Sequence, residues 1–315
     1  MTAAQLHEEF RRAAEYAVST RVGKVRSAPM RTAATKVASL ACRGLRKTLS
    51  LRGTTFWGDT MRVLLPEPVS EQLLACGLFE PGVTAYLLKL LRPGDVLFDV
   101  GAHFGYFSLL GARLTGKKGQ VHAFEPMPET FGVLAENTAD RGNVSLNQLA
   151  VWSKNSDLEI RDYGPRLSAF NSVYAPRVSS KSSRLETART VTVQAVTLDH
   201  YRLATMAAPT FIKIDAESAE HEIVQGMHQL LTYDRPAISI EVGDFDLEGV
   251  PTSAELLSSI IEYGYQPFEF TEEIKPHELR QHYSYNNILL MPKESVSDSL
   301  FGPFLPDHIG RMELR

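Results

Sequence analysis

Two acids and two glycines stand at the ends of neighbouring apolar runs. The first run ends at Asp99 and is followed by Gly101 and Gly105, and the second run, Gln120–Phe124, is followed by Glu125. Glycines let a backbone approach a ligand closely, and an acid after the second strand can accept hydrogen bonds from ribose hydroxyls. The spacing therefore predicts a site for a nucleoside cofactor.

The glycine pattern also distinguishes between cofactors. A dinucleotide fingerprint, G-x-G-x-x-G, would need glycine at 103 and 106, where the chain has His103 and Tyr106. A nicotinamide-dependent dehydrogenase is therefore disfavoured. The pattern D-x-G-x-x-x-G instead resembles motif I of class I S-adenosylmethionine (SAM) methyltransferases, whose cofactor carries no pyrophosphate. The alternative is a strand-to-helix turn with incidental glycines.

The elements that must position these residues alternate between strands and helices. This alternation predicts an α/β fold with a doubly wound, mostly parallel, Rossmann-like sheet, in which ligands bind beyond the carboxyl ends of the strands. The predicted core strands cover residues 96–100, 121–124, 144–152, 191–198, 210–215 and 236–242. Several candidate residues fall at or near their carboxyl ends: Asp99, Glu125, Ala150, Asp215 and Glu241.

Composition shifts divide the chain into segments. Residues 1–53 are predicted to form a basic helical extension, and residues 54–92 a hairpin (strands 54–57 and 60–65) followed by helix. Residues 93–291 form the predicted SAM-binding domain, in which a Ser- and Arg-rich stretch, 153–190, is expected to be an insertion or loop. Residues 292–315 are expected to be a tail.

Charge and cysteine content limit the partners. The net charge is −4, which gives no general case for nucleic-acid binding, but residues 1–50 hold ten Lys or Arg against three Glu. That segment suggests either peripheral contact with an anionic membrane or a solvated helix. Two cysteines without a C-x-x-C pair, and no apolar stretch near the ~18 residues of a membrane span, favour a cytoplasmic protein.

Over residues 56–291 the chain resembles the FkbM family of SAM-dependent methyltransferases. The resemblance rests on D-V-G-A-H-F-G-Y-F-S at 99–108, on F-E-P at 124–126, and on I-K-I-D-A-E-S-A-E at 212–220. The family usually reads K-I-D-x-E-G-A-E in the last segment, so Ser218 replaces a glycine, although a serine can cap a helix. His103 stands where the family often has asparagine.

The resemblance implies a set of cofactor-binding residues. Asp99 is expected to organise the methionine end of SAM, Glu125 to bind the ribose hydroxyls, and Ala150 and Val151 to border the adenine. His103 is expected either to line the methionine end or to be a bystander. The whole predicted set is Asp99, Gly101, Ala102, His103, Gly105, Glu125, Pro126, Ala150 and Val151.

The catalytic residues are expected near the next strand end. An alcohol is a poor nucleophile until it loses its proton, so methyl transfer to a hydroxyl needs a base or a metal. Asp215 is the predicted base, and Lys213, on the same face of its strand, is expected to pair with Asp215 or Glu241. The alternatives are a buried ion pair that only fixes the sheet, and His221 as the base.

Substrate-binding residues are the least defined by sequence. Glu217, Glu220 and Asn171 are predicted to contact the acceptor, although acids at the start of a helix also stabilise its dipole. With Asp215 these acids could hold a divalent cation, but no metal is predicted.

The resemblance implies methylation of a hydroxyl on a sugar, glycolipid, polysaccharide or natural product. Two other interpretations stay open. One is a SAM-fold scaffold or partner protein with impaired catalysis, suggested only by Ser218. The other is a nucleic-acid methyltransferase, supported only by the basic N-terminal segment and opposed by the lack of an N-P-P-[YF] element.

Overall fold

The computed structural model describes residues 3–18, 29–174, 188–244, 249–271 and 273–297. Its helices are α1 (Ala3–Val18), α2 (Pro29–Leu45), α3 (Pro68–Cys76), α4 (Pro81–Leu90), α5 (Tyr106–Thr115), α6 (Pro128–Thr138), α7 (Leu198–Thr205), α8 (Glu220–Gln225) and α9 (Ser253–Ile261). Its strands are β1 (Leu49–Thr54), β2 (Thr60–Leu65), β3 (Val96–Val100), β4 (Gln120–Phe124), β5 (Val144–Asn147), β6 (Ala150–Val151), β7 (Ser156–Asp162), β8 (Arg189–Val196), β9 (Phe211–Ile214), β10 (Ala237–Val242), β11 (Tyr265–Phe270), β12 (Ile274–Pro276) and β13 (Asn286–Pro292).

Within these ranges the central sheet has eight strands in the order β12-β11-β13-β10-β9-β3-β4-β5. Strands β10, β9, β3, β4 and β5 run parallel to one another, and β13, β11 and β12 add antiparallel pairs at one end. The order reverses at β3, where the chain first moves outward through β4 and β5 and then returns to β9. Such a switch point opens a crevice at the carboxyl ends of the strands. The predicted α/β class and doubly wound, mostly parallel sheet are confirmed.

Helices cover both faces of the sheet. On one face, Leu97 and Phe211 pack in a cluster with side chains of α1, the β1–β2 hairpin, α3, α4 and α5. On the other face, Phe98 and Ile212 pack against α7, α8 and α9. Because side chains alternate along a strand, the face that carries Leu97 also carries Asp99, and the face that carries Phe211 also carries Lys213. The polar candidates therefore lie on the α4–α5 side.

The N-terminal segment differs from the prediction. The hairpin pairs β1 with β2, so its first strand covers 49–54 rather than 54–57, and the helical extension predicted over 1–53 ends at Leu45. Leu49 and Leu51 alternate with polar residues, as strand residues do, whereas Phe56 and Trp57 lie in the turn and bury their rings. Helix α1 packs through Leu6 and Phe10 on this cluster, so it is part of the folded body rather than a solvated extension.

Two further strand predictions need correction. The strand predicted over 144–152 is two strands, because β5 pairs with β4 while β6 joins a separate sheet of order β6-β8-β7. The stretch 153–190 predicted as loop contains β7, in which Leu158 and Ile160 alternate with polar residues. Residues 175–187 of that stretch lie outside the described residues.

One helix is shorter than its apolar pattern predicts. The spacing of Ala219, Ile223, Met227 and Leu230 predicts a helix to about Leu231, but α8 ends at Gln225, before Gly226, and a π-helical turn follows at Leu230–Asp234. A Cβ at Gly226 would lie 2.4 Å from the carbonyl oxygen of Trp152, so this position is a close contact with another chain segment. At the start of α9, the sequence Thr252-Ser-Ala-Glu255 predicts a capping box, and the structure confirms it.

Among the described residues, no single helix is long and apolar enough to cross a membrane. Helices α3 and α4, bent by 65° at their junction, meet the length and composition criteria only when they are taken together.

Candidate active site

A cavity of about 360 Å³ opens at the carboxyl ends of the parallel strands. Its volume lies within the range of about 300–1,000 Å³ that is usual for small-molecule sites. Most of the predicted residues line it together: Gly101, Ala102, His103, Glu125, Pro126, Ala150, Val151, Asn171, Lys213, Asp215 and Glu217. We call this set the loop wall, because the loops at the strand ends supply most of it.

A second set of lining residues was not predicted. Six of them come from segments before and after the central strands, and we call these the terminal wall: Met61, Pro68, Val69, Leu73, Phe79 and Tyr285. Five of the six are apolar residues of the hairpin, α3 and the turn before α4. No local motif marks them, because they reach the cavity from segments far from the strand-end loops in the chain; Phe79, for example, packs on Tyr106 and Phe107 of α5.

Five predicted residues are absent from the described lining of the cavity. Asp99 and Glu241 are buried in the sheet, and a Cβ at Gly105 would lie 2.6 Å from a Leu134 methyl carbon. Glu220 is buried and accepts a hydrogen bond from the Ala216 amide at 2.9 Å. His221 instead lines a shallower groove beside α9, and its Nε2 lies 3.3 Å from the Tyr174 hydroxyl.

Gly101 brings two strand-end loops into contact. A Cβ at this position would lie 1.8 Å from the carbonyl oxygen of Asp215, and the φ of Gly101 is +72°. Any other residue at this position would force the loops to rearrange, because its Cβ would clash with the carbonyl and its backbone would be strained at this φ. The glycine therefore sets the distance between the loops after β3 and β9, in addition to leaving room for a ligand.

Glu125 is anchored by the backbone of both adjacent loops. Its Oε2 accepts a hydrogen bond from the His103 amide and its Oε1 accepts one from the Met127 amide, both at 3.0 Å. Burial raises the pKa of Glu125 to about 7, and these two bonds oppose the shift only in part. The carboxylate is thus fixed in orientation, while each oxygen keeps a second lone pair for a ligand hydroxyl.

His103 is held as a neutral group in the loop wall. Its Nε2 lies 2.9 Å from the Ser168 hydroxyl, and its ring stacks on Phe104 with centroids 3.9 Å apart. Burial lowers the pKa of His103 to about 3. A neutral, hydrogen-bonded imidazole suits a positioning role better than acid–base chemistry near neutral pH.

Lys213 forms the centre of a buried charge network. Its Nζ lies 3.2 Å from Asp215 Oδ2 and 3.7 Å from Asp99 Oδ1, and it donates to the Gly101 carbonyl at 2.8 Å. Asp99 Oδ2 in turn accepts a hydrogen bond from Ser108 at 2.6 Å. Lys213 thereby links the β3 loop to the acid at the end of β9. The predicted pairing of Lys213 with Asp215 is present.

Electrostatics keep this lysine charged. Burial disfavours the ammonium, but the carboxylates of Asp215, Asp99 and Glu80 outweigh it and raise the pKa of Lys213 above its ordinary value. A lysine that holds its proton this firmly cannot serve as a base. Of the pair, only the Asp215 carboxylate can accept a proton.

Strand register extends the polar network across the sheet. Asp99 is paired in register with Lys213, Lys213 with Ser239, and Glu241 with Asn287. Because Ser239 and Glu241 are two residues apart, all five side chains share the α4–α5 face. Glu241 is thus part of this network although it does not line the cavity.

Three acids of the site approach one another closely. One carboxylate oxygen from each of Asp215, Glu217 and Glu241 lies within 4.8 Å of the others. Oxygen ligands suit hard divalent cations, but acidic groups at this spacing are common without an ion. The prediction that the site holds no metal stays a prediction.

The loop after β9 has an unusual backbone at Ser218, where the sequence departs from the family pattern. Ser218 has φ +79° and Glu217 has φ +49°, both in the left-handed region. The N-cap of α8 is Ala219, so the expectation that Ser218 caps this helix is wrong. The left-handed backbone at 218 gives a physical reason for a glycine at this point.

Comparisons with known proteins agree with this architecture. A family model described as the methyltransferase FkbM domain matches residues 99–267. The hexuronic acid methyltransferase AglP of Haloferax volcanii is 28% identical over 155 residues, which is 48% of this chain and 58% of that protein. The 31-O-demethyl-FK506 methyltransferase FkbM of Streptomyces tacrolimicus is 55% identical over 47 residues, which is 15% of this chain and 18% of that protein.

Among solved structures, methyltransferase FkbM from Methylobacillus flagellatus KT shares 16% identity at a TM-score of 0.38, over 72% of this chain and 56% of that one. The matched regions thus span under two thirds of the first curated relatives and of this structure. The family model covers more than half of the present chain, and it includes every predicted cofactor residue and Asp215. This match also supports the predicted cofactor, SAM, for the family. The chain belongs to the FkbM methyltransferase family.

Proposed function

We propose that this protein is a SAM-dependent O-methyltransferase that acts on a hydroxyl group of a sugar-containing acceptor. One observation carries the proposal: the anchored carboxylate of Glu125 and the carboxylate of Asp215 line the same cavity. The first suits a nucleoside, and the second suits a hydroxyl proton. A fold alone would not support this activity, because the same fold serves many functions.

The loop wall offers groups that suit separate parts of the cofactor. Glu125 is held by two backbone amides with its remaining lone pairs available to ribose hydroxyls. Ala150 and Val151 offer an apolar surface to a base, and Gly101 and Ala102 expose backbone to the cavity. Asp99 would act through Lys213, which lines the cavity, since Asp99 itself is buried behind the cavity surface.

In the proposed reaction, Asp215 takes the proton of the acceptor hydroxyl. SAM, when bound, supplies an electrophilic methyl group, and S-adenosylhomocysteine leaves after the transfer. Asp215 accepts the proton of the acceptor hydroxyl as the new carbon–oxygen bond forms, because an alcohol attacks poorly with its proton in place. Lys213 keeps Asp215 oriented by an ion pair at 3.2 Å and remains protonated throughout.

The acceptor class rests on similarity and on the cavity together. AglP is named as a hexuronic acid methyltransferase. The terminal wall here offers an aromatic ring, Tyr285, beside acids that can bind hydroxyls, Asp215 and Glu217. A sugar ring carries both an apolar face and hydroxyl groups, and so matches this combination.

Calorimetric titration of the purified protein with S-adenosylhomocysteine tests the cofactor assignment. We expect micromolar binding by the native protein, no binding of NAD, and a loss of at least about tenfold in Glu125→Ala, because the ribose loses its acceptor. Asp215→Asn should bind like the native protein. Failure of the native protein to bind would contradict the proposal and favour a scaffold role.

A further inference from the structure

Glu80 is a buried carboxylate that lies outside the region matched by the family model. It occupies the N-cap position of α4, has φ +38°, and is only 8% exposed. A non-glycine residue in this backbone region is uncommon and costs stability, so the surrounding structure must hold it there. Its neighbour Phe79 belongs to the terminal wall of the cavity.

One oxygen of Glu80 accepts two hydrogen bonds from the segment around β13. Glu80 Oε1 accepts a bond from the Tyr285 hydroxyl and another from Asn287 Nδ2 at 3.1 Å. Its Oε2 is buried and makes no hydrogen bond within the described residues. Two segments separated by more than 200 residues in the chain are joined at this carboxylate.

Glu80 belongs to the same electrostatic unit as the proposed base. Asn287 stands opposite Glu241 in the sheet, so Glu80 lies over the polar stripe that contains Lys213. Burial raises the pKa of Glu80 to about 7, the Asp215 carboxylate adds to this shift, and Lys213 opposes it. The network of Asp215 and Lys213 therefore extends to a residue from the N-terminal segment.

Tyr285 is both fixed and exposed. Its hydroxyl is tied to Glu80, whereas the residue as a whole is 54% exposed and lines the cavity together with Asp215 and Glu217. An aromatic ring whose hydroxyl is held offers a large apolar surface with little remaining freedom to lose on binding. A surface of this kind fits the apolar face of a pyranose ring.

We propose that Tyr285 is an acceptor-binding residue that stacks on a pyranose ring, and that Glu80 is a positioning residue that acts through the Tyr285 hydroxyl. The inference rests on the proposed function and deepens it by naming the acceptor group. Both residues lie outside 99–267. The apolar face of the acceptor is therefore bound by segments that flank the matched domain, while the domain itself supplies the cofactor loops and the acids that bind the acceptor hydroxyls, Asp215 and Glu217.

Calorimetric titration with methyl glucopyranoside, a neutral pyranoside that the acids of the cavity do not repel, tests this pair without needing turnover when S-adenosylhomocysteine is saturating. Tyr285→Ala should weaken sugar binding by about tenfold or more, since it removes the stacking surface. Tyr285→Phe and Glu80→Gln should each weaken it by about three- to fivefold, since the ring remains but is no longer held. Tyr233→Ala, at a tyrosine that is 78% exposed and away from the cavity lining, is the matched control and should change nothing.

A double variant separates positioning from general structural damage. If Glu80 acts through Tyr285, then Glu80→Gln combined with Tyr285→Phe should bind the sugar no more weakly than the single variants, within about twofold. Multiplied losses would overturn the role of Glu80. The affinity of each variant for S-adenosylhomocysteine should stay within about threefold of the native value, which also shows that the variant is folded.

The outcomes distinguish this inference from the function on which it rests. If the native protein did not bind S-adenosylhomocysteine, the proposed function itself would be contradicted. Intact cofactor binding with no binding of the sugar, or with equal sugar binding by Tyr285→Ala, would overturn the inference and leave the proposed function standing. The inference would be supported if Tyr285→Ala bound the sugar more weakly and the double variant bound it no more weakly than the single variants.

Discussion

The two walls of the cavity are built by different means. The loop wall is fixed mainly through backbone groups: amides hold Glu125, and the Asp215 carbonyl packs on Gly101. The terminal wall consists of side chains brought in from far along the chain, and a side-chain hydrogen bond to Glu80 fixes its aromatic residue, Tyr285. Backbone geometry tolerates few sequences, whereas a wall of packed side chains can change residue by residue.

The two walls also differ in whether their residues lie within the region matched by the family model. The family model matches residues 99–267, and those residues include the complete loop wall. All six residues of the terminal wall fall outside the match. We therefore expect the loop wall to bind the cofactor and the reacting hydroxyl, and the terminal wall to bind the apolar face of the acceptor. Each variant below affects one wall or the contact between them.

Asp215→Asn should produce the largest effect. The amide cannot accept the acceptor proton, so turnover should fall by about 10²–10⁴-fold, the usual contribution of a general base. The affinity for S-adenosylhomocysteine should stay within about threefold, because Glu125 and the loops are untouched. Single-turnover formation of S-adenosylhomocysteine, with the acceptor present, measures this. Full turnover in the variant would show that Asp215 and Lys213 only fix the sheet.

Gly101→Ala should damage both the fold and cofactor binding. The added Cβ would lie 1.8 Å from the Asp215 carbonyl oxygen, so the two loops must separate. We expect the free energy of unfolding to fall by about 3 kcal/mol or more, with at least tenfold weaker binding of S-adenosylhomocysteine. Gly164→Ala is the matched control, because Gly164 has φ +76°, close to that of Gly101, but no atom lies within 4 Å of the position of an added Cβ. It should lose only about 1 kcal/mol. Similar losses in the two variants would contradict the proposed loop contact.

Cofactor affinity should depend on pH through Glu125. Burial raises the pKa of this carboxyl to about 7 in the ligand-free protein, so much of it is protonated at pH 6. Ribose hydroxyls donate to the ionised form, so affinity for S-adenosylhomocysteine should rise by up to about tenfold per pH unit below 7 and level off above it. Titrations from pH 5.5 to 8.5 measure this. Glu125→Gln should bind S-adenosylhomocysteine more weakly, and its affinity should not rise with pH. If the variant showed the same rise as the native protein, Glu125 would be excluded as the source of the pH dependence.

Sequence was sufficient for the loop wall because its signals are local. Gly101, Glu125 and Asp215 follow strands whose apolar runs are plain, and the parallel order brings strand ends together without knowledge of any side-chain contact. What sequence could not show is that Asp99 is buried behind Lys213 and that Glu125 is held by the amides of His103 and Met127. These details depend on loop geometry rather than on residue type.

The terminal wall was missed for a different reason. Glu80 precedes Pro81, which indicates the start of a helix and nothing more, and Tyr285 lies in a polar stretch before a strand. Their contact spans 205 residues of chain.

Strand β7 was missed for another reason, although its signal was present: Leu158 and Ile160 alternate with polar residues inside a Ser- and Arg-rich region. Composition outweighed periodicity there, and periodicity was the better guide.

Ser218→Gly should give the smallest effect, confined to the loop wall. Ser218 has φ +79°, where an L residue is strained by roughly 1 kcal/mol, and the family usually has glycine at this point. Glycine would relieve that strain but would also gain freedom in the unfolded chain, which offsets part of the benefit. We therefore expect the free energy of unfolding to rise by about 0.5 kcal/mol, measured by denaturant titration.

The same substitution bears on whether this departure impairs function. Ser218 follows Glu217, which lines the cavity, and its backbone is already in the region that glycine prefers. The loop therefore keeps the backbone that glycine would adopt, and Ser218→Gly should leave both cofactor affinity and turnover within about twofold of the native values. A large gain in turnover would mean that the native loop holds Glu217 or Asp215 out of place, and it would support the interpretation of a catalytically impaired protein. Unchanged turnover would assign the serine a cost in stability alone.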